Sequence, residues 1–103
     1  MNLQDTMSIN LIKYKKVFKA LSDENRLFIL QILAENGRTC VCDLSELLNL
    51  SQSRLSYHLK ILLDVSFISV EKEGKWNYYS AKPKELKKVL SEDLCCEFYP
   101  DTE

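Results

Sequence analysis

The chain has 103 residues, 46 % of them hydrophobic, a size that fits one small domain, with a core that is marginal alone and would gain from a second copy. Its net charge of −1 argues against a broad surface for polyanions, and no stretch approaches the roughly 18 apolar residues of a membrane span. The start, "MNLQDTMSINLIKYKK", lacks the pattern of a signal peptide, so the expected location is the cytoplasm, where Cys40, Cys42, Cys95 and Cys96 should be thiols rather than disulfides.

Leu11, Tyr14, Phe18 and Leu21 recur at helical spacing with Lys13, Lys15, Lys16 and Lys19 between them, which predicts a first amphipathic helix ending near Leu21. "SDEN" then offers Ser22 or Asp23 as an N-cap. The following run, Leu27 to Ala34, is apolar on nearly all sides before Asn36-Gly37 closes it, so this second helix should be the buried one. Leu44, Leu47 and Leu48 predict a short third helix, and Ser51 can cap a fourth in which Leu55, Leu59 and Leu62 form one stripe. Two short helices joined by a tight turn, the second with a polar N-terminal half, predict a helix-turn-helix over about 42–64.

The period then changes. Ile68 and Val70 alternate with Ser69 and Glu71, Gly74 marks a turn, and Trp76–Tyr79 suits a returning strand, which predicts a β-hairpin wing over about 67–80. Trp76 and the hairpin tyrosines are expected to pack. Pro83 can start a last helix over about 83–95, with Leu86, Val89, Leu90 and Leu94 on one stripe. The order α-α-α-α-β-β-α predicts a mainly α (α+β) winged helix-turn-helix, one domain over 1–103.

Residues 51–82 carry five basic and three acidic side chains, and the flanking segments 39–50 and 83–103 are acidic, so a polyanion contact would use this middle segment. Side chains at the start of the second helix of a helix-turn-helix are those that reach base edges in the major groove. Gln52, Ser53, Arg54 and Tyr57 are therefore candidate base or phosphate contacts, Ser56 and Lys60 phosphate contacts, and Lys72 and Lys75 the wing's backbone contacts. His58, the one histidine, is counted with this helix's DNA-binding residues rather than as a metal ligand. With no Gly-rich phosphate loop and no acid/base pair, the chain is not expected to be an enzyme.

Cys42 is expected near the N-cap of the third helix, where free N–H groups and the helix dipole favour a thiolate; Cys40, two residues earlier in an extended lead-in, would point to the same side. Such a pair suits a soft metal, against the plainer reading of two small residues filling a packing gap. Two sulfurs alone do not complete a site.

"ALSDENRLFILQIL", "TCVCDLSELLNLSQSRLSYHLKILLDV" and "SVEKEGKWNYYSA" together resemble the ArsR/SmtB family of bacterial metal-responsive winged-helix repressors, over about residues 15–82. The resemblance implies a homodimer held by its first and last helices, with Leu11 and Tyr14 on one and Leu86, Val89, Leu90 and Leu94 on the other. It also implies an operator of double-stranded DNA released when a thiophilic ion binds, and it matches Cys40 and Cys42 to the family's sensor cysteines. Ser45 stands where arsenic-sensing members have a third cysteine, so Cys95 or Cys96 is expected to complete a three-sulfur site. Ser66 stands where the family usually has glycine before the wing, a change that costs little unless the position needs φ > 0. As(III) or Sb(III) is the expected inducer, with Cd(II)/Pb(II) sensing, thiol redox or reactive-sulfur sensing, and a winged-helix protein-interaction module as alternatives.

Overall fold

Three helices open on a side chain that accepts a free backbone N–H: Asp23 takes that of Arg26, Cys40 that of Cys42, and Ser51 that of Arg54. Such caps satisfy donors that a helix start otherwise leaves without partners, and an oxygen cap is worth about 1 kcal/mol. The computed structural model describes residues 9–90, and the elements are α1 (Ile9–Leu21), α2 (Glu24–Asn36), β1 (Thr39–Cys40), α3 (Val41–Leu48), α4 (Gln52–Asp64), β2 (Ile68–Glu73), β3 (Trp76–Ala81) and α5 (Pro83–Lys87). No helix among the described residues is long and apolar enough to cross a membrane.

The winged helix-turn-helix is as expected, with one added strand. Thr39 and Cys40, expected as an extended lead-in, pair with Tyr79 and Tyr78 and give an antiparallel sheet of order β1-β3-β2. The wing turns through Gly74 and Lys75 between the paired Glu73 and Trp76, and Gly74 takes the positive φ of 63° that two-residue hairpins need.

α3 ends on Asn49 at φ 54°, with the N–H groups of Asn49 and Leu50 returning to Glu46 and Ser45. α4 ends in the same way: Ser66 holds φ 65°, its N–H donates to the Leu63 carbonyl, and that of Phe67 donates to Leu62. Both are the left-handed helix stop in which glycine is usual. Ser66 therefore occupies a position that does need positive φ, so its replacement of glycine carries a cost.

Ile29, Leu30 and Leu33 of α2, Leu44 of α3, Leu55, Leu59 and Leu62 of α4, Phe67, Ile68, Tyr79 and Leu86 form one core. α2 is the central helix, yet it is not buried all round: Leu27 and Phe28 are 38 % and 52 % exposed, because a single layer of neighbours covers only one side. On α1 the contact with the core is made by Val17, Ala20 and Leu21; of the expected apolar stripe, Leu21 packs inward while Leu11, Tyr14 and Phe18 face outward. α5 is shorter than the expected 83–95 helix. Lys88 and Val89 donate to carbonyls only three residues back, which tightens the chain into a turn through Leu90; residues 91–95 lie outside the described residues.

Candidate DNA interface and thiol site

Ser51 sets the start of α4, and the turn before it is closed by a contact the sequence did not reveal: Ser45 Oγ donates to the Leu50 carbonyl at 2.8 Å. Ser45, expected only as a missing sulfur, thus ties α3 to the turn that aims α4. Gln52, Ser53, Arg54, Ser56, Tyr57 and Lys60 are all exposed on α4, while Leu55, Leu59 and Leu62 bury the opposite stripe. Lys72 and Lys75 are exposed on the wing. Trp76, expected to pack, is 47 % exposed, because its position opposite Glu73 at the hairpin tip extends beyond the core; Tyr79, opposite Val70, is buried.

His58 departs from the expected DNA face. It is 5 % exposed, three residues after Leu55 on the inward stripe, and its Nδ1 lies 3.0 Å from Arg26 Nη1. Arg26 is itself buried and donates through Nε to the Ala20 carbonyl at 2.7 Å and through Nη2 to the Lys19 carbonyl at 3.2 Å. One guanidinium therefore joins the end of α1 to α2 and to the buried side of α4. Asp23 Oδ1 sits 3.9 Å from His58 Nδ1. Burial, and then the Arg26 and Arg54 charges, hold the His58 pKa below its usual value against the pull of Asp23. Because Arg26 can only donate, the His58 Nδ1 it meets is an acceptor, so the imidazole here is neutral. A buried arginine and histidine look like surface residues in a sequence, and the one signal available was their polar intrusion into two apolar stripes.

The cysteines depart from expectation in detail. Cys40, not Cys42, caps α3: its backbone is extended (φ −68°, ψ 144°) and its Sγ accepts the Cys42 N–H at 3.3 Å. Cys42 is the second residue of the helix. A hydrogen bond to the Cys40 side chain, then loss of water and the adjacent negative charge of Asp43, push the Cys42 thiol above its usual pKa, so the expected lowering by the helix start does not occur. Cys40 is buried and Cys42 exposed, with the Cys40 Sγ turned onto the Cys42 N–H. The pair is open to solvent through Cys42, and its soft donors fit a thiophilic ion. Among the described residues no cluster of three metal-ligating side chains forms, and Cys95 and Cys96 lie outside them.

Of the residues expected between two copies, Leu11 and Tyr14 are 58 % and 38 % exposed. Leu86 is fully buried in the core of its own chain and cannot face a partner; Pro83 starts a helix that turns it inward. Val89 and Leu90 are half-buried against the same core, and Leu94 lies outside the described residues.

Comparison with known proteins places these features in a lineage. Residues 23–70, from the cap of α2 into the wing, match the model of a family described as bacterial regulatory protein, arsR family. The chain is 50 % identical over 96 residues to an arsenical resistance operon repressor of Bacillus subtilis (strain 168), covering 93 % of this chain and 91 % of that one. It is 36 % identical over 87 residues to a homolog of the cadmium resistance transcriptional regulatory protein CadC from Staphylococcus aureus, covering 84 % and 72 %. Among solved structures, HlyU from Vibrio cholerae N16961 superposes with a TM-score of 0.72 at 34 % identity, covering 92 % of this chain and all of that one.

Proposed function

The chain belongs to the arsR family of bacterial regulatory proteins, DNA-binding transcriptional regulators rather than enzymes, and from that premise we propose that it is a homodimeric repressor released from its operator by As(III) or Sb(III). The observation that carries the proposal is the thiol pair at the start of α3, with the Cys40 sulfur capping the helix by accepting the Cys42 N–H. The helix so capped is the first of the helix-turn-helix. The half identity to an arsenical resistance repressor supports arsenic over other soft ions.

In this reading the exposed N-terminal half of α4, with Gln52, Ser53, Arg54, Ser56, Tyr57 and Lys60, enters the major groove, and Lys72 and Lys75 take phosphates beside it. His58 is withdrawn from that set. Cys40, Cys42 and one of Cys95 or Cys96 supply three thiolates. An ion that fits the DNA-free arrangement better by about 1–3 kcal/mol would lower operator affinity several-fold to a hundred-fold. The outward face of α1, with Leu11, Tyr14 and Phe18, supports pairing of two copies.

The cadmium resistance relative supports a second reading, Cd(II)/Pb(II) in the same thiolates. Titrating the reduced protein with arsenite, antimonite, Cd(II) or a mild oxidant, while operator binding is followed, separates these. Release by arsenite at the lowest concentration is the expected result. Release by the oxidant alone would replace ion sensing with thiol redox sensing, and retention of DNA under all four would remove the thiols from regulation.

A further inference from the structure

The segment that carries Cys40 is held to the wing by a residue outside every set named so far. β1 pairs with β3, with Cys40 opposite Tyr78. Two residues before Cys40, the Arg38 guanidinium lies 4.0 Å from the centroid of the Tyr78 ring. Its Nε donates to Glu71 Oε1 at 2.9 Å and its Nη2 donates to Glu73, both on β2. Glu71 and Glu73 stand opposite Tyr78 and Trp76, so Arg38 clamps the carboxylate-bearing face of both wing strands from the chain that leads into the thiol pair.

The geometry points to Arg38 as a positioning residue that couples the thiol pair to the wing. Residues 38–42 form one short run whose ends are the wing clamp and the helix cap. A ligand that draws the Cys40 and Cys42 sulfurs together breaks the Cys40 cap on Cys42 N–H and shifts β1. Through the Tyr78 pairing and the Arg38 fork, that shift reaches the hairpin that carries Lys72 and Lys75. The ion would then act on the DNA surface at two places, the helix-turn-helix through α3 and the wing through β1. A lysine at this position would keep the charge but lose the planar fork and the stacking on Tyr78. The inference rests on the thiol-pair reading above.

Trp76, the sole tryptophan of the chain, lies at the wing tip and reports on it directly. The probe is methylarsonous acid, CH3As(OH)2, which exchanges two As–O bonds for two As–S bonds while two waters leave with the thiol protons. A full-length Cys95→Ser/Cys96→Ser background confines it to Cys40 and Cys42, and thiol titration with mass measurement counts the sulfurs consumed. The expected result is loss of both thiols with a shift of Trp76 emission, a shift abolished by Arg38→Ala and at least halved by Glu71→Gln/Glu73→Gln. The Glu variant keeps Arg38 in place should Arg38→Ala disturb folding, which circular dichroism checks. Loading with no Trp76 response, or a response in both clamp variants as large as with the clamp intact, overturns the coupling while leaving the thiol site intact. Failure to load sinks the thiol-pair reading and the coupling with it.

Discussion

Arg26 and His58 meet at 3.0 Å beneath the helix whose outer face is proposed to read DNA, and the contact requires a neutral imidazole because the guanidinium can only donate. Protonating His58 would set two cations face to face, with Asp23 alone in opposition at 3.9 Å and Arg54 adding to the repulsion.

A pH dependence follows. Burial, and after it the Arg26 and Arg54 charges, depress the folded-state pKa of His58 below the value near 6.5 that it regains on unfolding. The unfolded chain thus binds the proton first. The contribution of His58 to stability is complete above the unfolded pKa and is lost as pH falls through the folded one. Urea unfolding should show stability declining as pH falls through and below the ordinary histidine value near 6.5, and His58→Gln, which can still accept from Arg26, should flatten that decline. Identical slopes for the two proteins would contradict the assignment.

Ser66 gives a test of backbone strain. At φ 65° it closes the end of α4, with its N–H on Leu63 and that of Phe67 on Leu62. Ser66→Gly should raise stability by about 1 kcal/mol, the cost of a left-handed conformation for a residue with a Cβ. Unfolding midpoints decide it; a lower midpoint for the glycine variant would mean that the serine side chain outweighs the strain.

For the DNA face, Gln52→Ala and Arg54→Ala should each weaken operator binding by about 1–3 kcal/mol while binding to unrelated DNA changes less. Lys75→Ala, on the wing turn, should lower affinity evenly across sequences and reduce the salt dependence. Fluorescence anisotropy with operator and scrambled duplexes makes the comparison. Undiminished affinity in all three variants would move the interface elsewhere.

Assembly is tested on α1, because Leu86 is committed to its own core. The Tyr14 and Phe18 rings lie 6.4 Å apart on the outward face of α1. Tyr14→Glu should shift the chain from dimer to monomer at micromolar concentration in sedimentation experiments without unfolding it. A dimer that persisted unchanged would place the contact off this face.

Much of this arrangement was legible in the sequence because it rests on local chemistry. Asp23 and Ser51 are caps that a sequence announces, the apolar stripe of α4 recurs at Leu55, Leu59 and Leu62, and Gly74 marks a two-residue hairpin turn. What escaped notice was long-range. β1 is two residues, too short to show an alternation, and exists only because Tyr78 and Tyr79 lie beside it. Arg26 and Arg38 are defined by partners 32 to 35 residues away along the chain. Cys40 carries no cap signal in the sequence, because sulfur is not among the usual cap acceptors.

Arsenite-induced operator release by Cys40→Ser, Cys42→Ser and Cys95→Ser/Cys96→Ser tests most directly whether the Cys40–Cys42 pair, with a cysteine at 95 or 96, holds the inducing ion. Serine at position 40 is itself a good helix cap, so the first variant keeps α3 and its uninduced DNA binding. All three variants should bind operator, and none should release it at the arsenite concentration that frees the native chain. Normal release by both Cys40→Ser and Cys42→Ser, with the response lost only in the C-terminal double variant, would contradict this and leave "CVCDL" as packing.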